Sequence, residues 1–523
     1  MKKILFVSQL FAACLLLQAP LFSQEVKKDK NKEVKSKEDS KARMTDKYLE
    51  LINAPGNQPE SVMEIGAELF SVLSKSRNAS FFDLTRDDKF VSLCRDNNML
   101  CTGGPMLGGI SYAGVNVWVR TLLPGKVEVS VDADGKTVRF GPVATSADGD
   151  LRAVVPVTGM KPGKEYPYKV FVDGKDAFPG RKFTFRTVPD GKSDVTVAFG
   201  ADFHKRGASN MKQVDQILAH KPYAMLFGGD NCAGDRDNNL GMHRADYFAR
   251  DMFPAWQKLS AAVPVYAQWD DHDYFNNDKS GIPPGYTDQD RRSVRKVFLE
   301  NWNNPSAGLS EQGGGIFFTT NVGLIDYIVI DQRYFRDPEK GQYLGPEQTK
   351  WLYKALKESK APFKILSGGS MWNDAVGKGK DSWLTFAPEE RENLFDYIEK
   401  ENITGVVLVS GDRHGARVFT VPRPSGFKFY EFNVGSLGGR GKDDRKDNGH
   451  KATDPSWTDQ LYGISNIYAF GLFTASVSGP EPTLTYRLID ENGNQLYRLA
   501  MPVSMLTPRK IRFNHTLPPG QTN

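Results

Sequence analysis

Cysteine is scarce, with four in 523 residues, too few for a disulfide framework to carry the fold. Cys14 lies in the N-terminal apolar run. The remainder are Cys94 and Cys101, spaced to close a short disulfide loop in an oxidising compartment, and Cys232, read as a buried free thiol. Long apolar runs are lacking too. The run at 4–17 falls short of a bilayer span, and no later segment reaches one. No basic patch with interleaved aromatics occurs, which argues against nucleic acid as a stable partner. Charge is nearly balanced, at 68 Lys and Arg against 63 Asp and Glu. Histidine is equally sparse, and three of the seven stand beside carboxylates.

What is present begins with an address. Met1-Lys2-Lys3, the apolar run and the small polar residues around Ser23-Gln24 form a secretory signal, with cleavage expected near residue 24. The mature protein is then periplasmic or secreted, without a transmembrane segment. Lipid attachment at Cys14 is the alternative, but apolar residues continue past it. Residues 25–45 follow; from 27 to 43 Lys alternates with Glu, Asp and Ser without any aromatic residue, the composition of a disordered linker.

Residues 46–93 show helical spacing through Leu49, Ile52, Val62, Ile65, Leu69 and Val72. From 94 to 190 the pattern becomes short alternating strands (115–119, 127–131, 138–140, 151–156, 166–172) punctuated by Gly135, Gly163 and Gly174, which predicts a β-sandwich. From 191 to 505 strands alternate with helical stretches at 210–220, 244–259, 288–302, 346–358 and 388–400, the signature of a layered α/β domain. Strand pairs close it between 467 and 502, turning at Glu491-Asn492-Gly493-Asn494. Residues 441–458 read as a loop at the mouth of the site, and 506–523 as a C-terminal tail.

Four acidic stations end apolar strand-like runs in the α/β region. They are Asp202-Phe203-His204, Gly229-Asp230-Asn231, Trp269-Asp270-Asp271-His272-Asp273 and Gly411-Asp412-Arg413-His414. Strands that feed helices or loops bring their last residues to one edge of a parallel sheet. Clustered Asp and His there provide oxygen ligands, imidazoles and a carboxylate able to bridge two cations. A single Gly-Asp is usually a turn or a helix cap; four stations in order are not.

In order, the stations resemble the calcineurin-like metallophosphoesterases, whose pattern is D-x-H, G-D, G-N-H-D/E and G-H-x-H. Asp271 stands where that family usually has Asn, and Asp412 where it usually has His. With that wording the chain resembles the alkaline phosphatase D (PhoD-like) branch over roughly residues 95–500. The resemblance implies an αββα sandwich preceded by a fibronectin-like β-domain. It places Asp202, His204, Asp230 and His414 at a first metal suited to iron, zinc or manganese. Asp230, Asp271 and Asp412 would hold a second through oxygen alone, which favours calcium, magnesium or manganese. The chain departs from the branch at Asp202, where Cys is usual, and at Ala233, where Tyr is usual. The strand end Ser367-Gly368-Gly369-Ser370 also differs, and Lys2-Lys3 replaces a twin arginine.

The chemistry implied is hydrolysis of small phosphate esters, with a metal-bound hydroxide attacking phosphorus. His272 is expected to protonate the leaving oxygen or hold the phosphoryl group, with Asp273 orienting its ring. Arg413 and Arg333 are candidate phosphate clamps, with structural ion pairing as the alternative for each. Glu431 is either a support for the ligands or a strand-end acid. Phosphomonoester hydrolysis is the expectation, phosphodiester or phospholipid hydrolysis its rival. An exported metal-binding or surface-interaction protein without turnover is the alternative of another class.

Overall fold

The computed structural model describes residues 43–191, 193–231, 234–305, 314–373, 382–439 and 460–508. The expectations for the signal, for Cys14, Cys232, Ala233, the 441–458 loop and nearly all of the linker and C-terminal tail fall outside these residues. Residues 43–50 are helical and belong to a first unit, Met1–Glu50; the rest, Leu51–Asn523, is one compact unit.

The helical extension folds as Glu60–Leu73, Phe81–Leu84 and Asp88–Asp96. In the first, Ile65, Leu69, Phe70, Val72 and Leu73 are buried. Cys94 and Cys101 are both buried free thiols. Nearness in sequence was the only ground for pairing them; Cys94 sits on a helix and Cys101 opens a strand, each packed in its own apolar setting.

The β-sandwich holds β1 (Cys101–Ser111), β2 (Gly114–Thr121), β3 (Lys126–Ala133), β4 (Lys136–Ala144), β5 (Arg152–Val157), β6 (Glu165–Val172), β7 (Lys175–Asp176) and β8 (Phe183–Arg186). One sheet runs β1-β2-β5; the other runs β4-β3-β6, with β7 and β8 both pairing with β6. Alternation along β6 turns Tyr166, Tyr168, Val170 and Val172 inward. They meet Leu107, Val117, Val119 and Val155 of the opposite sheet.

The α/β region has two sheets. β9 (Val195–Gly200), β10 (Met225–Gly228) and β11 (Val265–Gln268) are parallel neighbours. β18 (Ala469–Ser476), β19 (Thr483–Asp490) and β20 (Gln495–Pro502) extend them antiparallel on the β9 side. The second sheet runs β12 (Phe318–Val322), β13 (Ile325–Val329), β14 (Phe363–Ser367), β15 (Val406–Pro422) and β16 (Lys428–Gly435), with β17 (Gln460–Ile464) also on β15. Here β13, β14 and β15 are the parallel trio.

Val197 and Phe199 of the first sheet pack with Val329, Ile365, Val407 and Phe432 of the second, so the sheets face each other. Helices Met211–Ala219 and Pro254–Ser260 cover the outside of the first sheet through Val214, Ile217, Trp256 and Leu259. Helices Gly345–Glu358 and Pro388–Lys400 cover the second through Leu352, Leu356, Leu394 and Phe395. The order is helix, sheet, sheet, helix. The stretch expected as one helix over 244–259 is two, Leu240–Asp251 and Pro254–Ser260. Pro254 cannot continue a helix but suits the first turn of the next.

Candidate metal and active site

All four stations lie just past the carboxyl ends of parallel strands, or in the irregular middle of β15. Asp202 and His204 follow β9, and Asp230 follows β10. Asp270 leads from β11 into the short helix Asp271–Tyr274, which carries His272. Four of these non-glycine residues are left-handed, with φ of 55° at Asp202, 46° at His204, 52° at Asp230 and 62° at Asp412. Such strain persists only where its surroundings impose it. The backbone supplies that constraint. Asp202 N donates to Gly229 O at 3.0 Å, His204 N donates to Asp230 O at 3.0 Å, and Asp202 O accepts from Gly438 N and Gly439 N at 2.8 and 2.9 Å. Gly435 is required behind Asp202, because a Cβ there would lie 2.3 Å from Asp202 Oδ2.

Two groups of ligand atoms result, each within 4.8 Å of one another: Asp202 with His204 and His414, and Asp230 with Asp271 and His272. They are neighbours. His204 Nε2 is 4.0 Å from Asp230 Oδ2, and the His204 ring centroid lies 5.8 Å from that of His414 and 6.2 Å from that of His272. Asp202, Asp230 and Asp271 form a buried floor, whereas the three rings are partly exposed above it.

The floor suits cations. Among the described residues no donor reaches either carboxylate oxygen of Asp202 or Oδ1 of Asp230, and buried polar atoms left unpaired are costly. Burial, then Asp412 and Asp270, hold Asp202 well above the usual carboxylate range; burial, then Asp271 and Asp270, do the same to Asp230. Burial and the neighbouring imidazoles push His204 down to about 3, leaving a neutral ring free to ligate. Bound cations would answer the unpaired oxygens and the repulsion together, so the donor set fits the implied metals. These groups comprise two imidazoles with one carboxylate, and two carboxylates with one imidazole.

Several expected roles fall elsewhere. Asp412 belongs to neither group; it is ion-paired with Arg413 and lies close enough to raise Asp202 and Asp270. His272 instead lies beside Asp230 and Asp271. Arg413 pairs with Asp412, and Arg333 with Asp270, the ion-pair alternative for each. Arg333 is fully buried, its Nε on Asp270 Oδ1 and its Nη2 3.6 Å from Asp271 Oδ1. Asp273 is corrected as well. Its carboxylate accepts from Asn231 N at 2.9 Å, from Asn231 Nδ2 at 3.2 Å and from Asp270 N at 3.2 Å, which anchors the turn after β10.

The hydrogen-bond partner of His272 is Asp235, with Oδ1 2.7 Å from Nδ1. Burial disfavours the charged ring, but Asp271 and Asp235 outweigh it and raise His272. Sequence reasoning passed over Asp235, and over Asp270 as the partner of Arg333. The only signals were the acids of Asp235-Arg236-Asp237 after the second station and the doubled Asp270-Asp271. Glu431 accepts from Ser410 Oγ, Trp372 N, and Asn373 N and Nδ2, tying the segment after β14 to β15. Ser370 N donates to Gln332 Oε1 at 2.7 Å.

Paired sheets between helices, with acids and imidazoles at their shared edge, make this an α/β layered fold. One solved structure, described as the structure of PhoD, superposes with a TM-score of 0.61 at 18% identity, covering 76% of this chain and 92% of that one. A purple acid phosphatase from yellow lupin seeds superposes at 0.56 and 14% identity, covering 76% and 74%. More particularly, residues 233–481 match the model of the PhoD-like phosphatase family. Asp202, His204 and Asp230 precede that span. Residues 98–189 match a domain of unknown function, DUF7800. Alkaline phosphatase D of Bacillus subtilis (strain 168) is 26% identical over 346 residues, 57% of this chain and 59% of that protein's length.

Proposed function

We propose that this chain is an exported two-metal phosphoric ester hydrolase acting on small phosphate monoesters. The observation carrying this reading is the buried pair Asp202 and Asp230, whose unpaired oxygens face His204 and His414 at the common strand edge. When bound, cations there supply Lewis-acid polarisation of a phosphoryl oxygen and an activated water. We assign the first group iron, zinc or manganese, and the carboxylate-rich second group calcium, magnesium or manganese. Export rests on the N-terminal address, and small esters as partners rest on the family. Among the described residues no helix is long and apolar enough to cross a membrane. We read the β-sandwich as a fibronectin-like scaffold, which its three-stranded sheet facing the β4-β3-β6 sheet supports.

The chain's own contribution to turnover centres on His272. A carboxylate accepts at Nδ1, so that nitrogen carries a proton. Asp271 and Asp235 favour the protonated ring, the form needed to donate to a leaving oxygen. His204 is held neutral instead. The two imidazoles therefore divide between proton donation and ligation.

Replacing His272 by Ala is expected to lower turnover of alkyl phosphates by about 10²–10⁴-fold while both cations remain bound. Nitrophenyl phosphate, with its good leaving group, should lose much less. Metal analysis and a leaving-group series measure both. Loss of one cation would instead make His272 a ligand of the second group, and a parallel diester assay decides between ester classes.

Chelation separates the two groups. Carboxylate-rich coordination exchanges hard cations more readily than sites with two imidazoles. Mild chelation should therefore remove the ion at Asp230 and Asp271 first, and calcium, magnesium or manganese should restore activity. Simultaneous loss of both ions, or rescue by zinc alone, would contradict this assignment.

A further inference from the structure

The segment Gly234-Asp235-Arg236-Asp237 is held from two sides. On helix Leu240–Asp251, the Asp246 carboxylate accepts Arg236 Nε at 2.7 Å, Arg236 Nη2 at 2.8 Å and Gly234 N at 3.2 Å. On the same helix, His243 Nε2 lies 2.9 Å from Asp237 O. From the other side, Asn277 N donates to Asp235 Oδ1 at 2.9 Å and Asp237 N donates to Phe275 O at 2.7 Å. Asp235 and Asp237 are both left-handed, with φ of 54° and 50°. Two such residues around one arginine form a conformation that needs outside support.

We propose that Asp246 is a positioning residue: by gripping Arg236 and Gly234 it sets the loop so that Asp235 meets His272. The proposal rests on the reading of His272 as proton donor. Three facts point to orientation beyond packing. Asp235 is half-exposed, so burial does not hold it in place, yet its oxygen stands 2.7 Å from His272 Nδ1. Asp246 is almost fully buried and meets Arg236 through two parallel bonds, a geometry that fixes direction as well as distance. A buried ion pair is a poor source of stability compared with an apolar pair of similar volume, whereas it defines one arrangement of its two elements. The chain of contacts runs from Asp246 through the loop to Asp235 and then to the His272 ring.

The test uses full-length, metal-loaded protein carrying Asp246→Asn, with Arg236→Gln breaking the same link from its more exposed side. Both variants should keep their cations and lose about 10-fold in kcat on alkyl phosphates, yet stay within about twofold on nitrophenyl phosphate. In a His272→Ala background neither change should cost anything more, because both act through that ring. Equal losses on all esters, losses that add to His272→Ala, or a fall in cation content would overturn the proposal. Imidazole ¹H–¹⁵N spectra provide an arm independent of turnover. The hydrogen-bonded His272 Nδ1–H signal should be present in the parent and lost or shifted in both variants; an unchanged signal overturns the proposal. If His272→Ala itself leaves hydrolysis untouched, the proton-donor reading fails, and the spectra still decide whether Asp246 orients the ring.

Discussion

Asp230→Asn is expected to abolish phosphate ester hydrolysis and weaken cation binding by more than about 100-fold, since even partners outside the ligand shell are worth 10–100-fold. The carboxylate stands between the two groups: Oδ2 is 4.0 Å from His204 Nε2, and the side chain also gathers with Asp271 and His272. An amide of nearly the same shape keeps the fold but cannot offer charged oxygens to both cations. Stability should move in opposite directions in the two forms. Without cations the variant should be more stable than its parent, because burial and the neighbouring Asp271 and Asp270 disfavour a charged carboxylate and the amide carries no charge. With cations present the order should reverse, since binding favours the folded parent. Metal analysis and denaturation with and without chelator measure both. Full cation content in an active variant would remove the two-metal reading.

Arg244→Ala is expected to destabilise the compact unit by about 3–5 kcal/mol, the usual cost of removing one partner from a buried ion pair. Arg244 Nε donates to Asp150 Oδ2, Nη2 donates to Glu300 Oε2 at 3.0 Å, and Nη1 donates to Ala79 O at 3.1 Å. One guanidinium thus joins the helical extension, the β-sandwich and the α/β region. Burial opposes its charge, yet Asp150 and Glu300 outweigh burial and hold it above the ordinary arginine value. Both acids have side chains only 3% exposed, so the variant leaves them to Arg120 nearby and, for Glu300, to Lys296 at 3.6 Å. Urea denaturation followed by near-ultraviolet circular dichroism reports the loss. A shift below about 1 kcal/mol, the range of an exposed pair, would mean that solvent reaches this junction.

The junction also shows where sequence reading stops. Arg120 reaches Asn301 Oδ1 at 3.0 Å across 181 positions, and Tyr168 reaches Ala261 O at 2.9 Å across 93. Nothing local in β2 or β6 announces such partners, because a hydrogen bond made after folding leaves no periodic trace. The strands themselves were legible. Alternation in β6 and the proline at the start of Pro388–Lys400 are local signals, and each is dictated by backbone geometry. The split at Pro254 was equally local, and apolar spacing on both sides concealed it.

The four stations, and with them the α/β class, were written in the sequence. Asp202, Asp230, Asp271 and His414 each follow an apolar strand within a few residues, and parallel strands deliver such residues to one edge. Which side chain meets which was decided only by the tertiary structure. Asp235 rather than Asp273 bonds His272, Arg333 pairs with Asp270, and His272 gathers with Asp230 and Asp271. The physical reason is common to all three. Adjacent residues share a strand end, but their side chains diverge around a turn, so a charged group takes the partner that burial leaves within reach, whatever its distance along the chain.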